Sequence, residues 1–81
     1  MAYYTIGGGS SGNPHLEATE YDGSDFTGSN GAVNRVHASV TDATAVYKSG
    51  LLLAPSQFTV DGSGLTILVE LWNDEIVVVL A

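Results

Sequence analysis

Short apolar runs separated by turn residues fill the second half of the chain. Residues 33–40 alternate imperfectly between apolar and polar positions, which predicts a strand with a bulge or a late start near Arg35. Residues 41–44 then predict a turn, and 45–47 a short β-prone run. The next three residues, 48–50, have the length of a hairpin loop.

The remaining runs predict further strands of the same kind. Residues 51–53 and 57–60 are short strands, and the Asp-Gly step within 61–64 is a strong hairpin signal because it tolerates positive φ. Residues 65–71 alternate, so one face of that strand is expected to be buried. Residues 76–80 are wholly apolar, which predicts a strand that is central or covered on its second face, since an exposed one would aggregate.

Five or six short strands and no convincing helix predict an all-β fold, a small antiparallel β-sandwich or barrel over residues 32–81. Residues 1–31 predict an extended, Gly-rich N-terminal arm and irregular loop, because most of the ten glycines lie there without helical or strand periodicity. Leu16, Tyr21 and Phe26 interrupt this stretch as single apolar residues and are expected to anchor it on a surface.

Size and charge narrow the possible partners. A chain of 81 residues with no cysteine has a thin core and no disulfide to support it, which favours oligomerisation or docking onto a larger body. Nine Asp and Glu residues stand against Lys48 and Arg35, for a net charge of −7. Nucleic acid and anionic membranes are therefore not expected as partners. No apolar run approaches the roughly 20 residues of a membrane span, and the start of the chain does not resemble a secretory signal.

The residues that could carry chemistry do not form a recognisable site. His15 and His37 lack ligand spacing, and we expect His37 on the solvent side of its strand. Residues 17–25 hold four carboxylates, which leaves a calcium loop open, but their spacing does not match an EF-hand and favours a solvated acidic loop. Glu70 and Asp74 could form a carboxylate pair, although so small a β domain has little room for a sugar cleft. We predict no enzyme, no metal and no cofactor.

Residues 45–80 resemble a β-meander module of bacteriophage virion proteins, and the resemblance covers a little under half of the chain. The matching positions are Val46 and Tyr47 in a first strand, Ser49-Gly50 at a turn, Leu52 and Pro55, Phe58 and Val60, and Leu65 to Leu71 followed by Asp74, Glu75 and Ile76. The chain departs from the pattern at Ser49, where asparagine is usual, and at Trp72-Asn73, which replaces the commoner Gly-Asp. These positions specify turns and a core rather than chemistry.

The resemblance implies a small structural protein of the virion. A single module of this length suggests a capsid decoration, or cement, protein on the outer capsid surface, made in the host cytoplasm. Its partner would be the major capsid protein, and it would form a homo-oligomer, with a trimer favoured. The alternatives are a tail-associated adaptor or fibre-base module, and a small carbohydrate-binding module for host recognition.

Aromatic and aliphatic residues outside the predicted core are the expected contacts, because aromatic residues contribute much of the energy of interfaces. An extended segment such as residues 2–6 could add to the edge of a partner's sheet. The predicted interface residues are Tyr3, Tyr4, Ile6, Leu16, Tyr21, Phe26 and Trp72.

Overall fold

The computed structural model describes residues 16–81, and this part of the chain is all-β, as predicted. Its strands are β1 Ala18–Asp22, β2 Arg35–His37, β3 Ala45–Lys48, β4 Leu51–Leu52, β5 Phe58–Asp61, β6 Gly64–Ile67 and β7 Ile76–Leu80. Two single 3-10 turns, Gly23–Asp25 and Pro55–Gln57, separate β1 from β2 and β4 from β5.

The strands form two antiparallel sheets, so of the two predicted architectures, sandwich and barrel, the structure has the sandwich. The four-stranded sheet has the order β1-β7-β3-β4, and the three-stranded sheet has the order β2-β6-β5. Side chains from both sheets meet in one apolar core. Its buried members are Phe26, Val40, Val46, Leu53, Leu65, Ile67, Leu71, Val77 and Val79.

The apolar strand β7 lies at the centre of the four-stranded sheet, between β1 and β3. Its residues alternate between two environments, because successive side chains of a strand point to opposite faces. Val77 and Val79 are buried in the core, whereas Ile76, Val78 and Leu80 are half-buried on the other face. The sequence predicted a strand that is central or covered on its second face, and the structure places it at the centre of its sheet.

The predicted arm is too long. Residues 1–15 lie outside the described residues, but Ala18–Asp22 forms β1, an edge strand that pairs along its whole length with β7. Thr19, Glu20 and Asp22 are exposed, so the local sequence has no apolar run that would mark a strand. The sandwich therefore begins before residue 32, and the acidic stretch 17–25 is a strand followed by a 3-10 turn.

The strand predicted over 65–71 also differs, because β6 ends at Ile67. Its neighbours β2 and β5 are only 3 and 4 residues long, so no ladder is available further along. The chain continues as a loop in which Leu71 is buried and its backbone exchanges hydrogen bonds with Gly31 and Ala32, at 2.9 and 3.1 Å.

A buried arginine joins three segments of chain at this end of the sandwich. Arg35 is 2% exposed. Its guanidinium donates hydrogen bonds to the carbonyl oxygens of Thr27 (2.7 Å), Leu71 (2.6 Å) and Phe26 (3.0 Å), and to Oδ1 of Asn73 (2.8 Å). The arginine thus ties the loop after β1 to the loop before β7.

Candidate protein-docking face

The face of the four-stranded sheet that points away from the core, here called the outer face, is aliphatic at its centre. Directly paired residues of antiparallel strands share a face, so the register gives its composition. One row across the sheet consists of Glu20, Val78, Tyr47 and Leu52. The neighbouring rows add Leu80 with Ala18 and Ala45 on one side and Ile76 with Asp22 on the other.

The corresponding face of the three-stranded sheet is different. Its central row consists of Val36, Thr66 and Thr59, and Thr59 is exposed. A sheet that faces water on one side usually alternates apolar residues inside with polar residues outside. The three-stranded sheet follows this rule at β5 and β6, whereas β7 places Val78 where β6 places Thr66. The outer face is therefore more apolar at its centre than the outward face of the three-stranded sheet.

A groove lies at the edge formed by β4, between this edge and the loop that follows β6. It measures about 910 Å³, and Val33, Leu51 and Leu52 on its walls are 50, 74 and 61% exposed. Leu68 and Val69 also line it. Within residues 16–81 no other large apolar side chain is as exposed as these three, and Trp72 follows at 47%.

An ion pair marks one end of this groove. Lys48 Nζ lies 2.9 Å from Oε2 of Glu75, and the Ser49 hydroxyl donates to the same oxygen at 2.7 Å. The Trp72 N–H donates to the other carboxylate oxygen at 2.9 Å. Burial on its own raises the pKa of Glu75, but these three hydrogen bonds outweigh burial and hold the pKa below its ordinary value. The positive charge of Lys48 is paired with the Glu75 carboxylate, so the two side chains together add no net charge to this surface.

Trp72 is 47% exposed, and its ring lies against the loop before β2. A Cβ atom at Gly31 would come within 2.6 Å of the indole ring, so only glycine leaves space for the ring in this position. The ring is thus held in place on one side.

The structure sorts the predicted interface residues into three groups. Tyr3, Tyr4 and Ile6 lie outside the described residues. Leu16 and Tyr21 are half-buried, and Trp72 is exposed. The prediction for Phe26 is wrong, because its side chain is 3% exposed and belongs to the protein's own core. It therefore has almost no surface to offer a partner.

The prediction for the orientation of His37 is also wrong. It does not lie on the solvent side of β2, because Arg35 and His37 pair with the buried residues of β6 and point inward. Its ring makes edge contacts with Tyr21 and Phe26, with ring centroids 4.8 and 5.4 Å apart. The apolar–polar pattern of the sequence put the wrong face of this strand inside.

The sequence did not single out the aliphatic residues of the outer face or the groove, but one signal for them was present. A wholly apolar strand such as β7 has to be covered on both faces, and the core covers only one. Leu51 and Leu52 form an apolar pair after a tight turn, which does not by itself distinguish an interface from a core.

No group of three or more His, Asp or Glu side chains that could hold a metal ion occurs within residues 16–81. The four carboxylates of the acidic stretch do not converge: Glu20 and Asp22 lie on the outer face, and Asp25 Oδ2 accepts the Asp22 N–H at 2.9 Å. Nor does this part of the chain contain a helix of the length and apolarity that a membrane span requires.

Comparison of the chain with protein-family models, curated proteins and solved structures finds no match in any of the three. What the structure defines is a class, the small antiparallel β-sandwich. The resemblance of residues 45–80 to phage virion modules remains an expectation from the sequence.

Proposed function

We propose that this protein is a non-enzymatic structural subunit of a bacteriophage particle, and that it acts as a capsid decoration protein. In this proposal the outer face packs against other protein subunits, with the major capsid protein as the partner, on the outside of the shell. The single observation that carries the proposal is the aliphatic outer face of the four-stranded sheet, set against the threonine-containing face of the other sheet.

Two features support a docking role. The two sheets enclose a small core, so further burial of apolar area would stabilise the domain by about 25 cal/mol for each Å² removed from water. The outer face and the groove beside it offer Val78, Leu80, Leu51 and Leu52 for such burial. The virion setting rests on the resemblance of residues 45–80 alone.

Quantitative mass spectrometry of purified phage particles tests the location. A decoration protein should be present at a copy number close to that of the major capsid protein. A few copies per particle would instead place it in the tail, as an adaptor or fibre-base module. Absence from the particle would contradict both.

A matched pair of substitutions tests the face. Val78→Lys puts a charge at the centre of the outer face, and Thr66→Lys puts the same charge at the centre of the other sheet's outward face. Because both side chains are only partly buried, both variants should fold. We expect Val78→Lys to weaken binding to stripped particles at least tenfold, and Thr66→Lys to bind like the parent protein. Equal binding by the two variants would show that the outer face is not the contact.

One observation favours a second function, recognition of a carbohydrate. Trp72 presents a half-exposed ring that is fixed against Gly31, and an aromatic face of this kind can stack on the C–H face of a sugar. Retention of the parent protein on host-surface glycans, lost in Trp72→Ala, would support this function. If the parent protein shows no retention, the carbohydrate reading fails.

A further inference from the structure

We propose that the groove beside β4 binds residues Tyr3–Ile6 of a second copy of this chain as an added β-strand. This inference rests on the proposed function, because it gives the structural subunit a way to link to its neighbours. It assigns an occupant to the groove and makes each site incomplete without the neighbouring copy.

The edge of the sheet is suited to receiving a strand. β4 pairs with β3 alone and consists of two residues, Leu51 and Leu52. Both side chains are exposed and, together with Val33, line the groove. An extended segment that joins a sheet edge gains backbone hydrogen bonds, and pockets for alternate side chains give it specificity. An exposed apolar edge that stayed unoccupied would favour uncontrolled pairing.

The N-terminal segment has matching chemistry. Tyr3, Tyr4 and Ile6 are aromatic or β-branched residues, which are favoured in strands. Residues 1–16 contain no Asp, Glu, Lys or Arg, whereas all nine acidic residues lie further along the chain. Two copies with a net charge of −7 each repel one another, and an uncharged segment can bridge them without adding to that repulsion.

The geometry favours a neighbour over the same molecule. The described chain enters the sheet through β1, at the edge opposite β4, about 14 Å away across three strand spacings. Residues 7–15 can span at most about 30 Å, which reaches either groove. A path to the molecule's own groove would lay these Gly- and Ser-rich residues across the apolar outer face. In a side-by-side arrangement, β1 of one copy lies next to β4 of the other, and the segment fits between them without crossing either outer face.

Contacts of this kind are head-to-tail, so they close into a ring or continue as a filament. A closed ring of three copies would satisfy every groove and would agree with the trimer expected from the sequence.

Disulfide trapping tests the inference, because the natural chain has no cysteine and every thiol is an introduced one. Full-length Ile6→Cys is mixed with full-length Leu51→Cys under mild oxidation, both in solution and bound to particles. A disulfide requires the two Cα atoms to approach within about 7 Å. We expect a disulfide-linked heterodimer in yield at least fivefold above that obtained with Thr59→Cys, an exposed position on the other sheet.

Two outcomes would overturn the inference. Equal yields with Leu51→Cys and Thr59→Cys would mean random collision. An Ile6→Cys/Leu51→Cys double variant that forms only an internal disulfide, with no heterodimer in the mixture, would mean that the segment occupies its own groove. Failure of the proposed function is recognised separately, because the same variants and the parent protein would then not sediment with particles, whatever the pattern of disulfides.

Discussion

Replacement of Arg35 by methionine removes the hydrogen bonds that hold three segments of the chain together while keeping a side chain of similar length. All four acceptors of the guanidinium are uncharged oxygens. The bonds to the carbonyl oxygens of Leu71 and Phe26 are buried, whereas those to Thr27 and Asn73 are only partly buried. Water can therefore replace the arginine at two acceptors and not at the other two.

The size of the effect follows from the two buried carbonyls. The Leu71 carbonyl keeps the hydrogen bond from the Gly31 N–H at 2.9 Å, so it loses only one of its two donors. Removing the donor from the buried Phe26 carbonyl costs about 1–3 kcal/mol and the lost bond at Leu71 about 1 kcal/mol, so we expect Arg35→Met to lower the free energy of unfolding by about 2–4 kcal/mol. A domain of this size has a total stability of about 4–12 kcal/mol, so the loss is a large share. Arg35→Lys should be at least as harmful, because the ammonium group lacks the planar fork and remains a buried charge.

Urea unfolding followed by tryptophan fluorescence measures this loss. Trp72 is the one tryptophan of the chain and lies between two of the residues whose oxygens Arg35 binds. Lys48→Met is the control, since it removes the other basic side chain from a partly exposed ion pair and should cost less than about 1 kcal/mol. Two results would refute the reasoning. One is a free energy of unfolding for Arg35→Met within about 0.5 kcal/mol of the parent value, which is the size of effect expected for a surface substitution. The other is an Arg35→Lys variant that is clearly more stable than Arg35→Met.

Two further predictions concern Trp72 and Glu75, which lie in the loop before β7. Gly31 and Gly50 both have φ of +83°, so alanine at either position should cost about 1–2 kcal/mol in backbone strain. Only Gly31→Ala also collides with the Trp72 ring. Gly31→Ala alone should therefore shift the tryptophan fluorescence maximum to the red. An unshifted maximum in Gly31→Ala would show that the ring is not held there. Because the folded-state pKa of Glu75 is lowered from 4.5, its carboxylate stabilises the fold above that pH, and the contribution is lost as the pH falls through the folded-state value. Glu75→Gln should therefore unfold more easily at pH 7 and show a flatter loss of stability towards pH 3 in thermal unfolding; parallel pH profiles would contradict this.

The sequence predicted the parts of the fold that carry their own local signal. The unbroken apolar run of β7 predicted a strand that is central or covered on its second face, and the length of the loop after β3 predicted a hairpin. Ser49 and Gly50 both have positive φ, at 51° and 83°, which is the backbone of the tight hairpin turn that Asn-Gly usually makes.

The incorrect predictions for β1 and β2 have causes that lie far away in the sequence. β1 is a strand because β7 pairs with it across more than fifty residues. Three of its five residues are polar, so its own sequence does not indicate a strand. Arg35 and His37 point inward because other segments of the chain supply their partners, which are carbonyl oxygens for the arginine and aromatic rings for the histidine. A pattern based on hydrophobicity alone therefore assigned the two faces of β2 the wrong way round. The same limit applies to the outer face, whose rows become visible only when the strand register is known.

The pairing of β1 with β7 also sets how the domain responds to mechanical load. Glu17 and Ala81 exchange two backbone hydrogen bonds, at 3.0 and 3.1 Å, so the two ends of the described chain are adjacent. A force that separates these two residues would break the hydrogen bonds between β1 and β7 one after another, and would therefore need to be only small. A pull along β7 against a body held on the outer face would load all the rows at once. A subunit anchored through that face would therefore resist displacement of its sheet while still letting its first strand peel away.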